Sequence, residues 1–271
     1  IYVMRRIVKS LFRRCGMLPL FDVLHFCGDF LMHAPQNAFF RLRYPGRSIP
    51  PLRWVHETYR CDLGRYWEDG RMTADEVIGR IRPFLSQHPE GWNVLDWGCG
   101  TGRITRHLPD MPEVGSVTGA DVHAGMIGWN QRHLSGIRFT QLPDTPPVPL
   151  PSGQFHVVIG ISVLTHIPAD RQRVWLDEMH RILHPAGVFL FTTHGSAFDR
   201  LMNRTERDQL HETGCITQSY PESGHRMMTT LHDARILSSW LSESFEILCM
   251  IEGKSDTGAA GGQDLWILRR R

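Results

Sequence analysis

The segment that is most informative about the fold is Val94-Leu95-Asp96-Trp97-Gly98-Cys99-Gly100-Thr101-Gly102-Arg103. An apolar strand ends in an acid, and a G-x-G-x-G turn then opens a helix predicted over residues 101–108. Glycines allow the backbone to turn tightly and to approach a ligand closely. The N–H groups at a helix N-terminus favour an anionic group such as a carboxylate. The segment therefore predicts a ligand-binding loop at the end of a buried strand.

A second acid fits the same ligand. Asp121 ends the predicted strand Val117-Thr118-Gly119-Ala120-Asp121 and lies 23 residues after Gly98. An acid at about this distance holds the ribose hydroxyls of a bound nucleoside. The nicotinamide fingerprint G-x-G-x-x-G would place its third glycine one residue later than Gly102, so the pattern favours a different nucleoside ligand.

Strand and helix patterns alternate from Asn93 to the end of the chain. The predicted strands cover residues 93–97, 115–120, 137–140, 155–161, 187–193, 245–251 and 264–269, and the predicted helices cover residues 101–108, 124–134, 170–183 and 231–242. Such alternation indicates right-handed βαβ units and a mostly parallel sheet with helices on both faces.

The N-terminal residues have a different character. Residues 1–60 hold ten Lys/Arg against three Asp/Glu, and residues 4–15 place apolar and basic side chains on opposite sides of a predicted helix. A helix of this kind lies on an anionic membrane or on a partner, or it packs on its own domain. Residues 36–60, rich in Pro, Arg and aromatics, predict an irregular linker or lid, and Thr73 is predicted to cap the next helix. We expect an N-terminal extension over residues 1–60 and a catalytic domain over residues 61–271.

Composition excludes several classes of protein. Of 271 residues, 41% are apolar and 21% are charged, as expected for a folded protein with a sizeable core. Pro19, Asp22 and Asp29 interrupt the longest apolar runs, so no transmembrane span is expected. The six cysteines lack C-x-x-C spacing, which predicts reduced thiols, no zinc ribbon and a cytoplasmic location. Because the net charge is only +2 and no Asn-Pro-Pro-Tyr-like motif follows the fourth strand, nucleic acid is not an expected partner.

Three further segments carry a resemblance to a known family. Residues 146–158 read as a loop and a fourth strand, residues 161–167 leave that strand, and residues 175–187 form a helix and turn before a fifth. With the glycine loop, they resemble the class I S-adenosylmethionine-dependent methyltransferases over roughly residues 60–270. The chain has His156 where the family commonly has Asp, and His184-Pro185-Ala186-Gly187 where it more often has Lys-Pro-Gly-Gly. The resemblance implies an α/β, Rossmann-like, seven-stranded sheet, mostly parallel with an antiparallel last strand.

The resemblance also implies a cofactor, S-adenosylmethionine, which becomes S-adenosylhomocysteine. Gly98, Gly100 and Gly102, with Cys99 between them, would shape the cofactor loop. Asp96 would support the methionine amino group, and Asp121 would accept both ribose hydroxyls. The remaining implied contacts are Val122 on the adenine ring, Asp144 at the adenine amino group, and Ile161 and Ser162 beside the sulfonium.

Two histidines are candidate catalytic bases. His166 and His194 follow the C-terminal ends of predicted strands, where open α/β sheets bind ligands. A hydroxyl acceptor needs a base with a pKa near neutrality, whereas a neutral amine or a carboxylate does not. His156 is expected to be structural. His180 and His184 lack an evident third ligand, so no metal is expected.

The leading hypothesis is O-methylation of a sugar or a similar hydroxylated small-molecule or glycan acceptor, with His194 or His166 as base. Parts of the sequence are most similar to methyltransferases that accompany glycosyltransferases in surface-glycan and natural-product pathways. The alternatives are N- or carboxyl-methylation of a small metabolite, a lipid or quinone methyltransferase held at the inner membrane face by residues 4–15, and a degenerate scaffold. The intact acids and glycines argue against the scaffold. The oligomeric state is left open.

Overall fold

The computed structural model describes residues 18–86, 88, 90–219, 228–253 and 261–271. The helix predicted over residues 4–15 lies outside these residues. The chain divides into two compact units, one reaching Asp69 and one starting at Gly70.

The first unit is helical. It contains α1 (Leu18–Arg43), α2 (Leu52–Tyr59) and the start of α3 (Leu63–Ile81). Its core consists of Phe40, Val55, Leu63 and Tyr66. The irregular linker expected over residues 36–60 is therefore wrong for most of its length. Its prolines stand where helices tolerate them, with Pro51 directly before the first residue of α2.

Helix α3 also corrects the expected helix start. Thr73 lies in the middle of α3 instead of capping its N-terminus. Its side chain is buried, and its hydroxyl oxygen accepts a hydrogen bond from Arg103 Nη1 at 3.2 Å. The apolar spacing of Ala74, Val77, Ile78 and Ile81 continues the helix into the core of the second unit.

The second unit is built on a seven-stranded sheet. Its strand order is β3-β2-β1-β4-β5-β9-β8, and β9 runs antiparallel to both of its neighbours. The strands are β1 (Trp92–Trp97), β2 (Val114–Asp121), β3 (Arg138–Gln141), β4 (Phe155–Gly160), β5 (Leu183–Thr193), β8 (Phe245–Ile251) and β9 (Asp264–Arg270). The expected mostly parallel sheet with an antiparallel last strand is confirmed.

Two apolar cores cover the two faces of this sheet. One contains Trp97, Phe155, Phe189 and Trp266, and the other contains Trp92, Val94, Ile159 and Ile267. Neighbouring residues along a strand point to opposite faces, so a strand buried on both sides is apolar throughout. The helices α4 (Ala124–His133), α5 (Gln172–Ile182) and α7 (Ala234–Leu241) occur where the sequence predicts them.

One predicted helix is absent. Residues 101–104 form turns and Thr105–Asp110 form a 3-10 helix, so the expected α-helix over residues 101–108 is wrong. Gly102 has a φ of +70°, and Pro109 removes a backbone donor. Both features oppose a continuous α-helix directly after the glycine loop.

A small subdomain between β5 and α7 was not predicted. It contains α6 (Arg204–Thr213) and an antiparallel pair, β6 (Cys215–Ser219) with β7 (Met228–His232). The pair packs on the segment that leaves β4: Thr230 Oγ1 donates to the Ile167 carbonyl at 2.8 Å. Asn203 caps α6 through a reciprocal hydrogen-bond pair with Glu206.

Candidate active site

The glycine loop follows β1 and takes a left-handed backbone three times. Gly98, Gly100 and Gly102 have φ values of +73°, +51° and +70°. A Cβ at Gly98 would overlap the Val163 side chain, and one at Gly102 would lie 2.6 Å from Leu134 Cδ1. At Gly100 the nearest atom, the Met126 sulfur, is 4.0 Å away. Conformation therefore favours glycine at all three positions, and packing demands it at the first and third, whereas the second leaves room that a ligand can enter.

Asp121 ties the end of β2 to this loop. The Gly100 N–H donates to Asp121 Oδ2 at 2.8 Å, and the His123 N–H donates to Oδ1 at 2.8 Å. Each carboxylate oxygen retains capacity for a second donor. The half-buried carboxylate is thus held in one orientation, with acceptor positions left for hydroxyl groups.

Asp96 lies beneath the loop and is 2% exposed. Thr105 Oγ1 donates to its Oδ2 at 2.5 Å. Burial raises the pKa of Asp96 to about 6, against the opposing effects of the Thr105 hydrogen bond and the Arg103 charge. Because an ionised carboxylate is costly in this position, a cation bound nearby would lower that pKa.

The other predicted cofactor residues occupy different settings. Cys99 is buried with Ile127 and Phe139, and burial raises the pKa of its thiol well above the usual range. The side chain of Cys99 therefore packs in the core, and the residue contributes only its backbone to the loop surface. Val122 is 48% exposed beside Asp121, and Asp144 is exposed in the segment after β3.

A chain of polar side chains joins the ends of β4 and β5. The Ser162 N–H donates to Thr192 Oγ1 at 2.8 Å, and the Ser162 hydroxyl donates to Gln263 Oε1 at 3.0 Å. Thr192 Oγ1 also donates to Gln263 Oε1 at 2.5 Å. Gln263 Nε2 lies 3.2 Å from His194 Nε2. Ser162 has a φ of +60°, a strained conformation of the kind that clusters at functional sites.

These contacts assign the proton on His194. Because Gln263 Oε1 accepts from two hydroxyls, its Nε2 is the donor to His194 Nε2, and the imidazole proton then resides on Nδ1. Burial lowers the pKa of His194 to about 4, the nearby His166 adds to that effect, and the Thr230 backbone opposes it. His194 is therefore neutral at pH 7. Its ring packs against Phe198 at a tilt, with 4.0 Å between the ring centroids.

His166 lies at the surface, near His194. Its Nδ1 is 3.3 Å from the Met228 carbonyl, an arrangement in which Nδ1–H donates and Nε2 is the acceptor nitrogen. The structure thus brings both predicted histidines to the same edge of the sheet, with different exposure and different hydrogen bonds.

The other histidines have structural partners. His156 Nδ1 accepts the Asn93 N–H at 2.9 Å, and its ring packs between His88 and His184. His180 lies on α5 but His184 lies in β5, so the two do not share a helix.

One other cluster has ligand-type side chains, and it lies in the first unit. His25 Nδ1 and His56 Nε2 face Asp29 Oδ2 at 3.5 and 3.2 Å. Arg60 donates to both oxygens of Asp29, at 2.5 Å from Nη2 and 3.0 Å from Nε. Burial raises the pKa of Asp29, but Arg60, His25 and His56 outweigh burial and hold it below its usual value. The cluster is thus an ion pair that already neutralises its carboxylate.

Sequence reasoning missed Thr105, Thr192 and Gln263. Thr105 follows the glycine loop closely, but its bond to Asp96 depends on the turns formed by residues 101–104. Gln263 directly precedes β9 and lies 101, 71 and 69 residues along the chain from its partners Ser162, Thr192 and His194. Only the antiparallel pairing of β9 with β5 brings it there, and no local motif marks it.

Comparisons with known proteins agree with this geometry. Residues 94–187 match the family model described as a methyltransferase domain. The chain is 31% identical over 112 residues to a fatty-acid O-methyltransferase of Mycolicibacterium smegmatis, covering 41% of this chain and 40% of that protein. It is 36% identical over 125 residues to a malonyl-[acyl-carrier protein] O-methyltransferase of Enterobacter lignolyticus, covering 45% of each. The chain thus spans less than half the length of these curated relatives.

Solved structures share the fold. A methyltransferase from Methanosarcina mazei superposes with a TM-score of 0.55 at 20% identity, covering 70% of this chain and 96% of that one. Magnesium protoporphyrin IX methyltransferase from Synechocystis, with bound S-adenosylhomocysteine, superposes with a TM-score of 0.52 at 15% identity, covering 88% and 97%.

The residues present fit S-adenosylmethionine. Gly100 leaves open space, Asp121 offers acceptors for ribose hydroxyls, and Asp96 places a carboxyl whose charge a nearby ammonium group would stabilise. The sheet order, the loop between β1 and β2, and the family-model match show that this chain carries a class I S-adenosylmethionine-dependent methyltransferase domain.

Proposed function

We propose that the protein transfers a methyl group from S-adenosylmethionine to an oxygen atom of a hydroxylated small-molecule acceptor such as a sugar. The observation that carries this proposal is the polar chain from Ser162 to His194, with His166 beside it. Strand β4 pairs with both β1 and β5, so this chain lies at the same carboxyl edge of the sheet as the glycine loop.

The cofactor, when bound, supplies a methyl group on a positively charged sulfur that is displaced in line by the acceptor. The chain would bind and orient the two partners. Asp121 would accept the ribose hydroxyls, Val122 would pack on the adenine, and Asp144 would accept from the adenine amino group. Ile161 and Ser162 would border the sulfur. Holding the acceptor oxygen close to the methyl carbon supplies much of the rate.

We assign the base to His166 and a positioning role to His194. Gln263 occupies Nε2 of His194, and a pKa of about 4 makes this histidine a weak base at neutral pH. His166 is exposed, and its Nδ1 faces a carbonyl, so its Nε2 accepts the proton. During methyl transfer to the acceptor oxygen, His166 Nε2 would take up the hydroxyl proton of the acceptor.

Turnover of hydroxylated acceptors by the His166→Ala and His194→Ala variants tests this assignment. General-base assistance is worth about 100-fold or more, so we expect His166→Ala to lower kcat by at least that factor and to remove the acidic limb of the pH profile. His194→Ala should lower kcat less and keep the limb. If both variants retain wild-type rates, the histidine-base mechanism is refuted. Calorimetry with S-adenosylhomocysteine confirms that each variant still binds cofactor.

Carboxyl methylation is the second candidate. The two curated relatives are named for fatty-acid and malonyl-[acyl-carrier protein] O-methylation, and a carboxylate is nucleophilic without a base. A panel of sugars, fatty acids and acyl-carrier-protein thioesters, each assayed with methyl-labelled cofactor, separates the candidates. Turnover of carboxylates alone, with a rate independent of His166, would favour this second function over the first.

A further inference from the structure

Helix α1 exposes an unusual concentration of apolar side chains. Within the part of the chain that the structure describes, eight of the thirteen exposed large apolar residues lie on this one helix. They are Leu20, Val23, Leu24, Phe30, Leu31, Met32, Phe39 and Leu42, and Leu42 reaches 82% exposure. Apolar side chains scattered singly over a surface are ordinary, but a contiguous set of this size marks an interaction surface.

The opposite side of α1 is fixed by contacts within its own unit. Asp29 is bound by Arg60, Asn37 Nδ2 donates to the Cys61 carbonyl at 2.7 Å, and Phe40 lies in the core. The Leu63 N–H donates to Asn37 Oδ1 at 3.1 Å. Rotating α1 to bury its apolar side would break these buried hydrogen bonds, so the exposed side is built into the unit.

The apolar side is broad and carries no acid. At about 100° per residue, Leu24, Leu31 and Leu42 fall within about 40° of Leu20, whereas the exposed Asp22 lies about 200° away. From Phe30 to Met32 the exposed apolar arc spans about 200°. A two-helix seam uses a narrower stripe, whereas a helix lying in a bilayer interface buries a wide apolar face.

Cations flank α1 in the sequence on both sides. Arg41 and Arg43 occupy the last turn of α1 and are exposed. The sequence before the helix, residues 1–17, contains five cations and no Asp or Glu; the cations are Arg5, Arg6, Lys9, Arg13 and Arg14. A basic cluster next to an apolar helix face is attracted to anionic lipid headgroups, at about 1 kcal/mol for each cation near the surface.

We propose that the apolar face of α1 rests on the surface of an anionic phospholipid bilayer. Among the described residues, no helix is long and apolar enough to cross a membrane. Leu20, Leu24, Leu31 and Leu42 enter the boundary between headgroups and acyl chains, and Arg41 and Arg43 remain among the headgroups. This inference holds for either acceptor class considered above.

Vesicle co-sedimentation of the full chain tests the proposal. The vesicles contain phosphatidylcholine alone or phosphatidylcholine with phosphatidylglycerol. The test variant carries Leu24→Glu and Leu31→Glu, and the control carries Met72→Glu and Val174→Glu, which place the same two charges on exposed apolar positions elsewhere. Binding of S-adenosylhomocysteine reports whether each variant is folded.

We expect the wild type and the control to sediment with anionic vesicles and to bind neutral vesicles at least tenfold more weakly. Each leucine buried in the interface is worth about tenfold in partitioning, so the test variant should bind at least about a hundredfold more weakly. No binding by the wild type would overturn the proposal, as would equal binding by the test variant. A dimer in solution that the test variant dissociates, without vesicle binding, would show instead that the face holds a second copy of the chain.

Discussion

Replacing Asp96 with asparagine is expected to stabilise the protein at neutral pH. Asp96 is buried beneath the glycine loop, and burial raises its pKa from 3.8 to about 6. In the unfolded chain the carboxyl ionises near 3.8, so between about pH 4 and pH 6 unfolding releases a proton. Stability therefore falls as pH rises through that window and stays low above it.

The size of the effect follows from the two pKa values. A rise from 3.8 to about 6 costs the folded protein about 3 kcal/mol once the group is ionised in both states. Asparagine retains an oxygen that accepts from Thr105 Oγ1, but its amide N–H groups need buried acceptors, which offsets part of the gain. We expect Asp96→Asn to be more stable by about 1–3 kcal/mol at pH 7.5, with the difference shrinking by about 2 kcal/mol at pH 4.

Urea unfolding at both pH values, followed by tryptophan fluorescence, measures this difference. Asp110→Asn removes an exposed carboxylate from the adjoining 3-10 helix and is the control, with an expected change below about 0.5 kcal/mol. A stability difference between Asp96→Asn and the wild type that does not vary with pH would refute the reasoning. If Asp96 supports the methionine amino group as proposed, the variant should also bind S-adenosylmethionine more weakly, because that charge is lost.

Gly98→Ala should destabilise by about 1–3 kcal/mol, since the new Cβ overlaps Val163 and φ is +73°. Gly128→Ala on α4 places its Cβ 3.9 Å from Arg132 Nη1, an ordinary contact, and should stabilise by about 0.5–1 kcal/mol. Urea unfolding compares the two variants, and equal effects would contradict the packing argument. Gln263→Leu removes the donor to His194 Nε2, so the pKa of His194, measured by NMR titration, should differ from that of the wild type. An unchanged pKa would show that this hydrogen bond is not formed. Asp29→Ala should lower the free energy of unfolding by about 1–2 kcal/mol near neutral pH, a modest value because Arg60 is 44% exposed and water screens the pair. This loss of stability should disappear in strong acid, where Asp29 is protonated in the wild type. Thermal unfolding measured across pH checks this.

Local patterns predicted the sheet well. Strands buried on both faces leave apolar runs such as residues 155–161, and the turn signals between them mark the crossovers. The shape of the glycine loop was predictable from residues close together in the sequence: Gly98, Gly100 and Gly102 all have positive φ, and the Gly100 N–H donates to Asp121.

The errors arise where tertiary contacts override local signals. Residues 101–108 look like a helix start, but the turn at Gly102 and Pro109 restrict them to a 3-10 helix. Residues 36–60 have a loop-like composition, yet Phe40 and Val55 bury themselves in a helical core. Gln263 reaches Ser162, Thr192 and His194 only through the antiparallel placement of β9, a long-range pairing that no spacing in the sequence encodes.

Calorimetric titration with S-adenosylmethionine and S-adenosylhomocysteine measures whether the glycine loop and Asp121 bind the cofactor. The wild type is compared with Asp121→Ala and with Asp110→Ala, which is a matched charge control. Two hydrogen bonds from ribose hydroxyls to a carboxylate are worth about 1.5–3 kcal/mol each, so the account predicts that Asp121→Ala binds at least about a hundredfold more weakly and that Asp110→Ala binds as the wild type does. Absence of binding to the wild type, or equal binding by Asp121→Ala, would contradict the assignment of the glycine loop and Asp121 as the cofactor site.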